Sequence, residues 1–311
     1  MSRHRWARQQ NDALRKKHGC RQKTGMRRAI FTLASLLAVS AIATDASHDE
    51  INAYDHGLMQ GIDLSFWAYP EFASGHSSMG CIKVIYPVFN LDTGTAIKLK
   101  GGKFGRFLFG IWSQSDVSSH YHDRRRYAFQ EIDPIIAYAY TWHFHDGWNL
   151  DSQLGAQWNF MDGYYGDGRH SYDEWQFWER LNTPWCTVYA GMRNFYLPVC
   201  KSFFRVGVTK SFPIVGNLSI RPNVWLDGGS ERWNQQRVGY GEYRKKIGRG
   251  LNAVLIQLYL DYRISEWLSL YGGVTQHCAV GNEIRNSLGA NPSRESKKDF
   301  LIVTMGAKLD F

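Results

Sequence analysis

The closing segment, Leu301 to Phe311, alternates in a way that few folds accept. Leu301, Val303, Met305, Ala307, Leu309 and Phe311 make an apolar series. Ile302, Thr304, Gly306, Lys308 and Asp310 make the other, mostly polar or small. A period of two gives a strand one apolar face and one polar face, so something must cover or dissolve the apolar side.

The pattern recurs upstream. In residues 130–162, Ile132, Pro134, Ile136, Tyr138, Tyr140, Trp142 and Phe144 share one face, and Glu131, Asp133, Ala137, Ala139, Thr141 and His143 share the other. His145-Asp146-Gly147 reads as a tight turn. The return arm sets Trp148, Leu150, Ser152, Leu154, Ala156 and Trp158 against Asn149, Asp151, Gln153, Gly155, Gln157 and Asn159. A second hairpin, 252–278, sets Val254, Ile256, Leu258, Leu260, Tyr262 and Ile264 against Gln257, Tyr259, Asp261 and Arg263, turns at Ser265-Glu266, and returns through Leu268, Leu270 and Val274. Tyr140, Trp142, Phe144 and Trp148 cluster beside the first turn, where an interfacial girdle would sit.

The N-terminus bears on compartment. Residues 26–43 read MRRAIFTLASLLAVSAIA: two arginines, an uncharged run, and a closing Ala41-Ile42-Ala43. That is the pattern of a cleaved secretory signal, and the run is short for a spanning helix of ~20 residues. Residues 1–43 are therefore expected to be an N-terminal extension plus signal peptide, with Met1 and Met26 both open as start sites. Residues 44–311 are expected to form a single domain. The leader holds ten Lys or Arg and one acid, Asp12, so the 37 basic and 28 acidic residues of the whole chain leave 27 of each. The pI near 9.3 belongs to the leader and says nothing of nucleic acid. Cys81, Cys186, Cys200 and Cys278 remain, without metal-ligand spacing; the last three are expected as small apolar residues on apolar faces.

No later apolar run reaches helix-spanning length. Mean hydropathy is −0.40, yet aromatics reach 15%. Alternating segments with many aromatics predict an all-β fold: a transmembrane, antiparallel, up-and-down β-barrel of about twelve strands. They are expected near 57–69, 82–99, 104–117, 130–145, 148–162, 172–181, 184–196, 200–212, 216–229, 250–264, 267–281 and 298–311. Short links near 100–103, 145–147, 181–184, 212–216 and 264–267 then share one rim, and the longer segments 70–81, 118–129, 163–171, 230–249 and 282–297 share the other. A split within 82–103 and the brief Leu197-Pro198-Val199 are the irregular points. In lipid every backbone amide must be paired, so a β-protein spans only as a closed barrel.

A terminal Phe311 in phase with Leu309 and Met305 resembles the signal read by the barrel-assembly machinery of bacterial outer membranes. Further stretches resemble small Gram-negative porins of the TorF type: Phe109-Gly110-Ile111-Trp112-Ser113, Glu131-Ile132-Asp133 leading to Tyr138, Asp146-Gly147-Trp148-Asn149-Leu150-Asp151, and Tyr172-Asp173-Glu174. After the first strand the chain has Phe66-Trp67-Ala68-Tyr69-Pro70 in place of an Arg-Gly pair. The resemblance implies a passive envelope protein; the expected role is porin-like passive diffusion of small solutes or ions in the cell outer membrane, with lipid and lipopolysaccharide as the surroundings.

Charged residues on the polar phase are the candidate site. Arg106, Arg193, Arg205, Arg221 and Arg263, with Asp133, Asp151 and Asp261, are expected to line a pore and set its preference. Asp63, Lys98, Lys100, Glu131 and Asp227 share that phase, as do the bulky Tyr189, Trp225, Tyr259 and Tyr271. The counter-reading is a lumen filled by ladders of neutralising charge. A rival class is an outer-membrane lipid hydrolase, for which His76 and Ser78 form a His-x-Ser pair. His120, His122 and Asp123, beside Arg124-Arg125-Arg126, read as a loop facing anionic lipopolysaccharide, as do Glu231, Arg232 and Arg237. No catalytic residue, metal or cofactor is expected.

Overall fold

Strands with a single apolar face must turn it to a partner layer or to lipid, and here they close upon themselves. The computed structural model describes residues 62–78, 81–84, 87–99, 103–117, 129–144, 147–161, 171–195, 201–291 and 297–311. Twelve wall strands run in chain order: β1 (Ile62–Ala73), β2 (Val88–Leu99), β3 (Arg106–Asp116), β4 (Phe129–His143), β5 (Asn149–Met161), β6 (Ser171–Asn182), β7 (Thr187–Phe195), β8 (Lys201–Thr209, continued by Phe212–Val215), β9 (Leu218–Gly229), β10 (Gly250–Arg263), β11 (Leu268–Ala279) and β12 (Asp299–Asp310). Each is antiparallel to the next, and β12 pairs with β1, so the barrel has no free edge. The N–H groups of Phe66 and Phe311 donate to each other's carbonyl at 3.0 and 2.9 Å, fastening the closing seam at the chain end.

The expected parity of connections holds. The links at 100–105, 144–148, 183–186, 216–217 and 264–267 fall on one rim, here the turn rim; the connections on the other, the loop rim, are longer except for the five residues between β7 and β8. Gly147 and Gly216, at φ 78° and 54°, take the left-handed conformation two of the turns require.

Several boundaries differ from expectation. The first strand runs to Ala73 and carries Pro70 inside it. The β1–β12 register lapses at Tyr69 and Pro70, so the missing proline N–H falls where no bond is made. Pro134 in β4 sits in a similar lapse against β5. The expected strand 82–99 splits: Cys81–Val84 pairs with His76–Ser78 in a small outer hairpin, and Val88–Leu99 joins the wall. Cys186 lies in the turn before β7 rather than on a strand face, whereas Cys278 faces outward on β11. The expected loops 230–249 and 282–297 contain helices, α1 (Glu231–Arg237) and α2 (Asn282–Ala290). Residues 1–43, Lys100, the 120–126 cluster, 163–170, 197–199 and Cys200 lie outside the described residues.

Ser230 caps α1, its hydroxyl accepting from Trp233 N–H at 3.4 Å and from Ser202 N–H at 3.1 Å, which ties the helix to the start of β8. The Ser287 hydroxyl of α2 donates to Val238 O at 2.8 Å and accepts from Tyr240 N–H at 2.6 Å. Val238, Ile247, Ala279, Ile284 and Leu288 pack into a small apolar cluster. Arg285 grips Asp299 with two bonds of 2.9 Å, and that hydrogen bonding holds the guanidinium pKa above its ordinary value. The two helices form one cap at the loop rim.

Candidate functional site: the barrel lumen

The outer surface decides the solvent. Ile136, Leu154, Trp175, Ile256, Leu260 and Met305 are each about half exposed on the outward face. Trp148 and Trp185 meet edge to face at 5.7 Å at the turn rim, and Trp267 stacks on Phe311 at 5.8 Å. At the opposite end Phe72 packs on Phe89 at 4.9 Å. Apolar surface of this extent, bounded by aromatic residues, belongs in a bilayer. Among the described residues no helix is long and apolar enough to cross a membrane; the strands cross it. The protein is a transmembrane β-barrel.

The inward face is polar and ordered by a repeated arrangement. On β6 and β7 the Trp178 ring lies against Gly191, Arg193 sits over that ring at 5.8 Å, and Arg193 pairs with Glu174 at 3.1 Å. On β8 and β9 the Trp225 ring lies against Gly207, Arg205 sits over it at 5.5 Å, and Arg205 grips Asp227 at 2.6 and 2.8 Å. On β9 to β11 the Tyr259 ring lies against Gly273, Arg221 sits over it at 4.9 Å, and Arg221 grips Asp261 at 2.8 and 3.0 Å. On β11 and β12 Tyr271 lies against Gly306, with Lys308 over the ring at 5.3 Å and 3.2 Å from Asp261.

The physical sense is clear. A glycine on the adjacent strand lets an inward aromatic ring lie flat on the wall instead of projecting into the lumen. The ring's negative face attracts a cation, and the cation neutralises an acid held against the wall. Bulky inward residues therefore narrow the barrel less than their volume implies. Gly207→Val is expected to destabilise the barrel by about 1–3 kcal/mol, as overpacking does, because a Cβ there collides with the Trp225 ring. Gly272→Val is the control: it faces lipid, where the nearest atom is 3.7 Å away. Denaturant unfolding of the two refolded variants checks this, and equal losses would refute the flat-ring account.

Exposure within the pairs is graded. The side chains of Glu174 and Asp227, toward the loop rim, are 0% exposed, whereas those of Asp151 and Asp261, toward the turn rim, are 13% and 17% exposed. In each pair the cation is the more exposed member: 22% for Arg193, 24% for Arg205, 26% for Arg221, 37% for Lys308 and 46% for Arg180 beside Asp151. The loop-rim half is filled further by polar contacts. Gln157 donates to Asp133 at 2.7 Å, Gln114 to Asn90 at 3.0 Å, and Tyr271 and Asn90 both donate to Glu71. Above them Trp233 of α1 is fully buried against the inward Phe195 and Phe203.

Of the residues singled out from sequence, Arg106, Arg193, Arg205, Arg221, Arg263, Asp133, Asp151 and Asp261 all lie on the inward face. Arg221 and Asp261 meet; Arg263 bonds the Ser265 carbonyl at 3.2 Å at the turn rim. Arg237 sits over the Trp233 ring at 4.7 Å and so belongs to the cap. Met305 and Leu309 face outward. Sequence reasoning missed Glu174, Arg180 and Lys308 as partners, and Trp67, Trp178 and Trp233 as inward rings. The missed signal was glycine at inward phase, one strand away from an inward aromatic. His76 and Ser78 sit in the outer hairpin, the His76 ring against Trp112 at 5.6 Å. Among the described residues no three His, Cys, Asp or Glu converge as a metal site.

No family model and no curated protein matches the chain. Solved structures do match it. A KdgM porin aligns with TM-score 0.42 at 9% identity, over 79% of this chain and 99% of the other. A NanC porin aligns with TM-score 0.44 at 11% identity, over 78% and 98%. The outer membrane phospholipase A of Escherichia coli aligns with TM-score 0.39 at 14% identity, over 79% and 92%. At such identities the likeness is one of barrel architecture and assigns neither substrate nor chemistry.

Proposed function

We propose that the barrel is a passive, narrow diffusion pore that favours small anions over cations. One observation carries the reading: in each of the five lumen ion pairs described above the guanidinium or ammonium is more exposed than its acid. A solute moving along this wall meets positive edges, while the balancing acids sit behind them. Rings of exposed cationic side chains select anions. The TorF-type motifs of the sequence point to the same class. On this proposal the apolar belt contacts outer-membrane lipid and lipopolysaccharide, and the strand ending in Met305, Leu309 and Phe311 is what the assembly machinery engages.

The test is planar-bilayer recording on the refolded chain from Thr44 onward. Discrete conductance steps are expected, with a reversal potential in a KCl gradient on the chloride side. Arg193→Gln combined with Arg221→Gln should move that potential toward the potassium side. A heat-modifiable, folded barrel that never conducts would refute the pore and leave a closed envelope scaffold. Unchanged selectivity in the double variant would refute the role given to the cations.

A further inference from the structure

The outer wall carries one charged group that the pore does not use. Glu179 on β6 stands in outward phase, paired in register with the outward Ser152 on β5 and with Ala190 on β7. Among the described side chains, the other charges in outward phase on the wall stand at strand ends. Asp299 is at the loop rim, gripped by Arg285, and Lys210 is at the turn rim, over the Phe212 ring at 5.4 Å. Glu179 lies inside the apolar belt, and its outward neighbours Leu154, Phe177, Leu181 and Val188 are all apolar. A charge on the lipid face is unfavourable, and ionisable side chains within spanning segments are rare and mark functional positions.

The carboxylate is held in place by a chain of bonds. Trp142 Nε1 donates to the Ser152 hydroxyl at 3.3 Å, and that hydroxyl donates to Glu179 Oε2 at 2.8 Å. This fixes one oxygen. Among the described residues Oε1 has no hydrogen-bond partner, and Glu179 makes no ion pair. The Trp142 ring is half exposed, and the Tyr140 ring meets it edge-on at 4.7 Å. Both rings belong to the turn-rim girdle, so the carboxylate sits at the depth of the membrane–water interface, where head groups begin. A fixed carboxylate beside exposed aromatic rings suits an ammonium, which is held by charge-assisted hydrogen bonds and by attraction to the ring faces.

We infer that Glu179, with Ser152 and Trp142, is a head-group site for a phospholipid that carries a primary ammonium. The ammonium would donate to Glu179 Oε1, and the acyl chains would run along the exposed Phe177 and Leu154 toward the middle of the bilayer. A second copy of the chain fits less well. Two copies in one bilayer meet at equal depth, and among the described side chains no outward cation lies level with Glu179. Val206 is the β8 residue level with it, and Lys210 stands four residues nearer the turn rim. The inference goes beyond the pore reading: it needs a barrel that spans a bilayer, not a lumen that conducts.

The test is native mass spectrometry of the refolded chain in detergent micelles, titrated with phosphatidylethanolamine and phosphatidylcholine of the same acyl chains. One phosphatidylethanolamine per barrel is expected to be retained in preference to phosphatidylcholine, whose quaternary nitrogen has no N–H to donate. Glu179→Gln keeps an acceptor for Ser152 and removes the charge. It should weaken phosphatidylethanolamine binding by about tenfold, the scale of a hydrogen bond to a charged group, and leave phosphatidylcholine binding unchanged. Glu266→Gln, an exposed acid in a turn of the same rim, should change neither. Heat-modifiable mobility confirms that each variant folds. Equal retention of the two lipids, or a preference that survives Glu179→Gln, overturns the site. A dimer mass that disappears in Glu179→Gln also overturns it and gives this face to a second copy. Lipid retention needs no conduction, so a silent barrel that keeps the preference refutes the pore and leaves the site standing.

Discussion

Replacing Arg205 with alanine is expected to lower barrel stability by about 3–5 kcal/mol, the cost of stranding one member of a buried ion pair. Asp227 is fully buried, and the Arg205 guanidinium holds both of its oxygens, at 2.6 and 2.8 Å. Without that fork the carboxylate is left without its partner in a place water does not reach, which is unfavourable. The Trp225 ring also loses the cation over its face. Arg205→Leu with Asp227→Leu should recover most of the loss, because removing both charges leaves nothing unpaired. Urea unfolding in lipid vesicles reads the difference. A single variant within about 0.5 kcal/mol of the parent, the range of ordinary surface changes, would show that Asp227 is hydrated and that the loop-rim half is wetter than its burial implies. Arg180→Ala should have a much smaller effect, since Arg180 is 46% exposed and screened by water.

That contrast between two Arg–Asp pairs was not legible in the sequence, although the residues were. Alternation alone put Arg205, Arg221, Asp227 and Asp261 on the inward face, because side-chain direction in a strand depends only on parity. Which acid meets which base depends on register between strands. Arg221 and Asp261 lie 40 residues apart, and their meeting follows from the pairing of Arg221 with Tyr259 and Ser219 with Asp261. Parity also fixed the order of long and short connections, since an up-and-down barrel returns to the same rim after every second strand. It failed where a strand carries apolar residues in both phases. Phe66-Trp67-Ala68-Tyr69-Pro70 shows no clean alternation, and Pro70 read as a strand end. In the barrel Trp67 and Tyr69 turn inward onto polar partners, and the register lapses where the proline has no N–H to offer.

The helices of the cap were missed for a different reason. Ser230, Glu231 and Arg237 supply an N-cap, an acid in the first turn and a base in the last. Those signals were present, but they fall between two strands in a segment short enough to read as a loop. An isolated helix of this length is not stable in water, so its formation rests on tertiary contacts that a sequence does not display. Trp233 is the main one.

Trp233→Ala is accordingly expected to raise conductance severalfold while leaving the barrel folded. The indole is fully buried. It stacks on Phe195 at 4.8 Å and 18°, packs on Phe203 at 5.8 Å, and carries Lys201 and Arg237 over its ring. A buried aromatic of this kind covers about 150–250 Å², most of what holds α1 down. What remains is the Ser230 bond to Ser202, the Asn234 amide donating to Gly248 O at 3.0 Å and Gly250 O at 3.2 Å, and Val238 at the helix end in its small apolar cluster. The wall strands keep their ladders, so the loss falls on local opening of the cap rather than on global unfolding. Hydrogen exchange over residues 231–237 should quicken, with the wall amides unchanged. Trp233→Phe retains a ring against Phe195 and should sit close to the parent in both readouts. A folded Trp233→Ala barrel whose conductance matches the parent would place the constriction below the cap, among Glu174, Arg193, Arg205 and Asp227, where the lumen's buried acids lie.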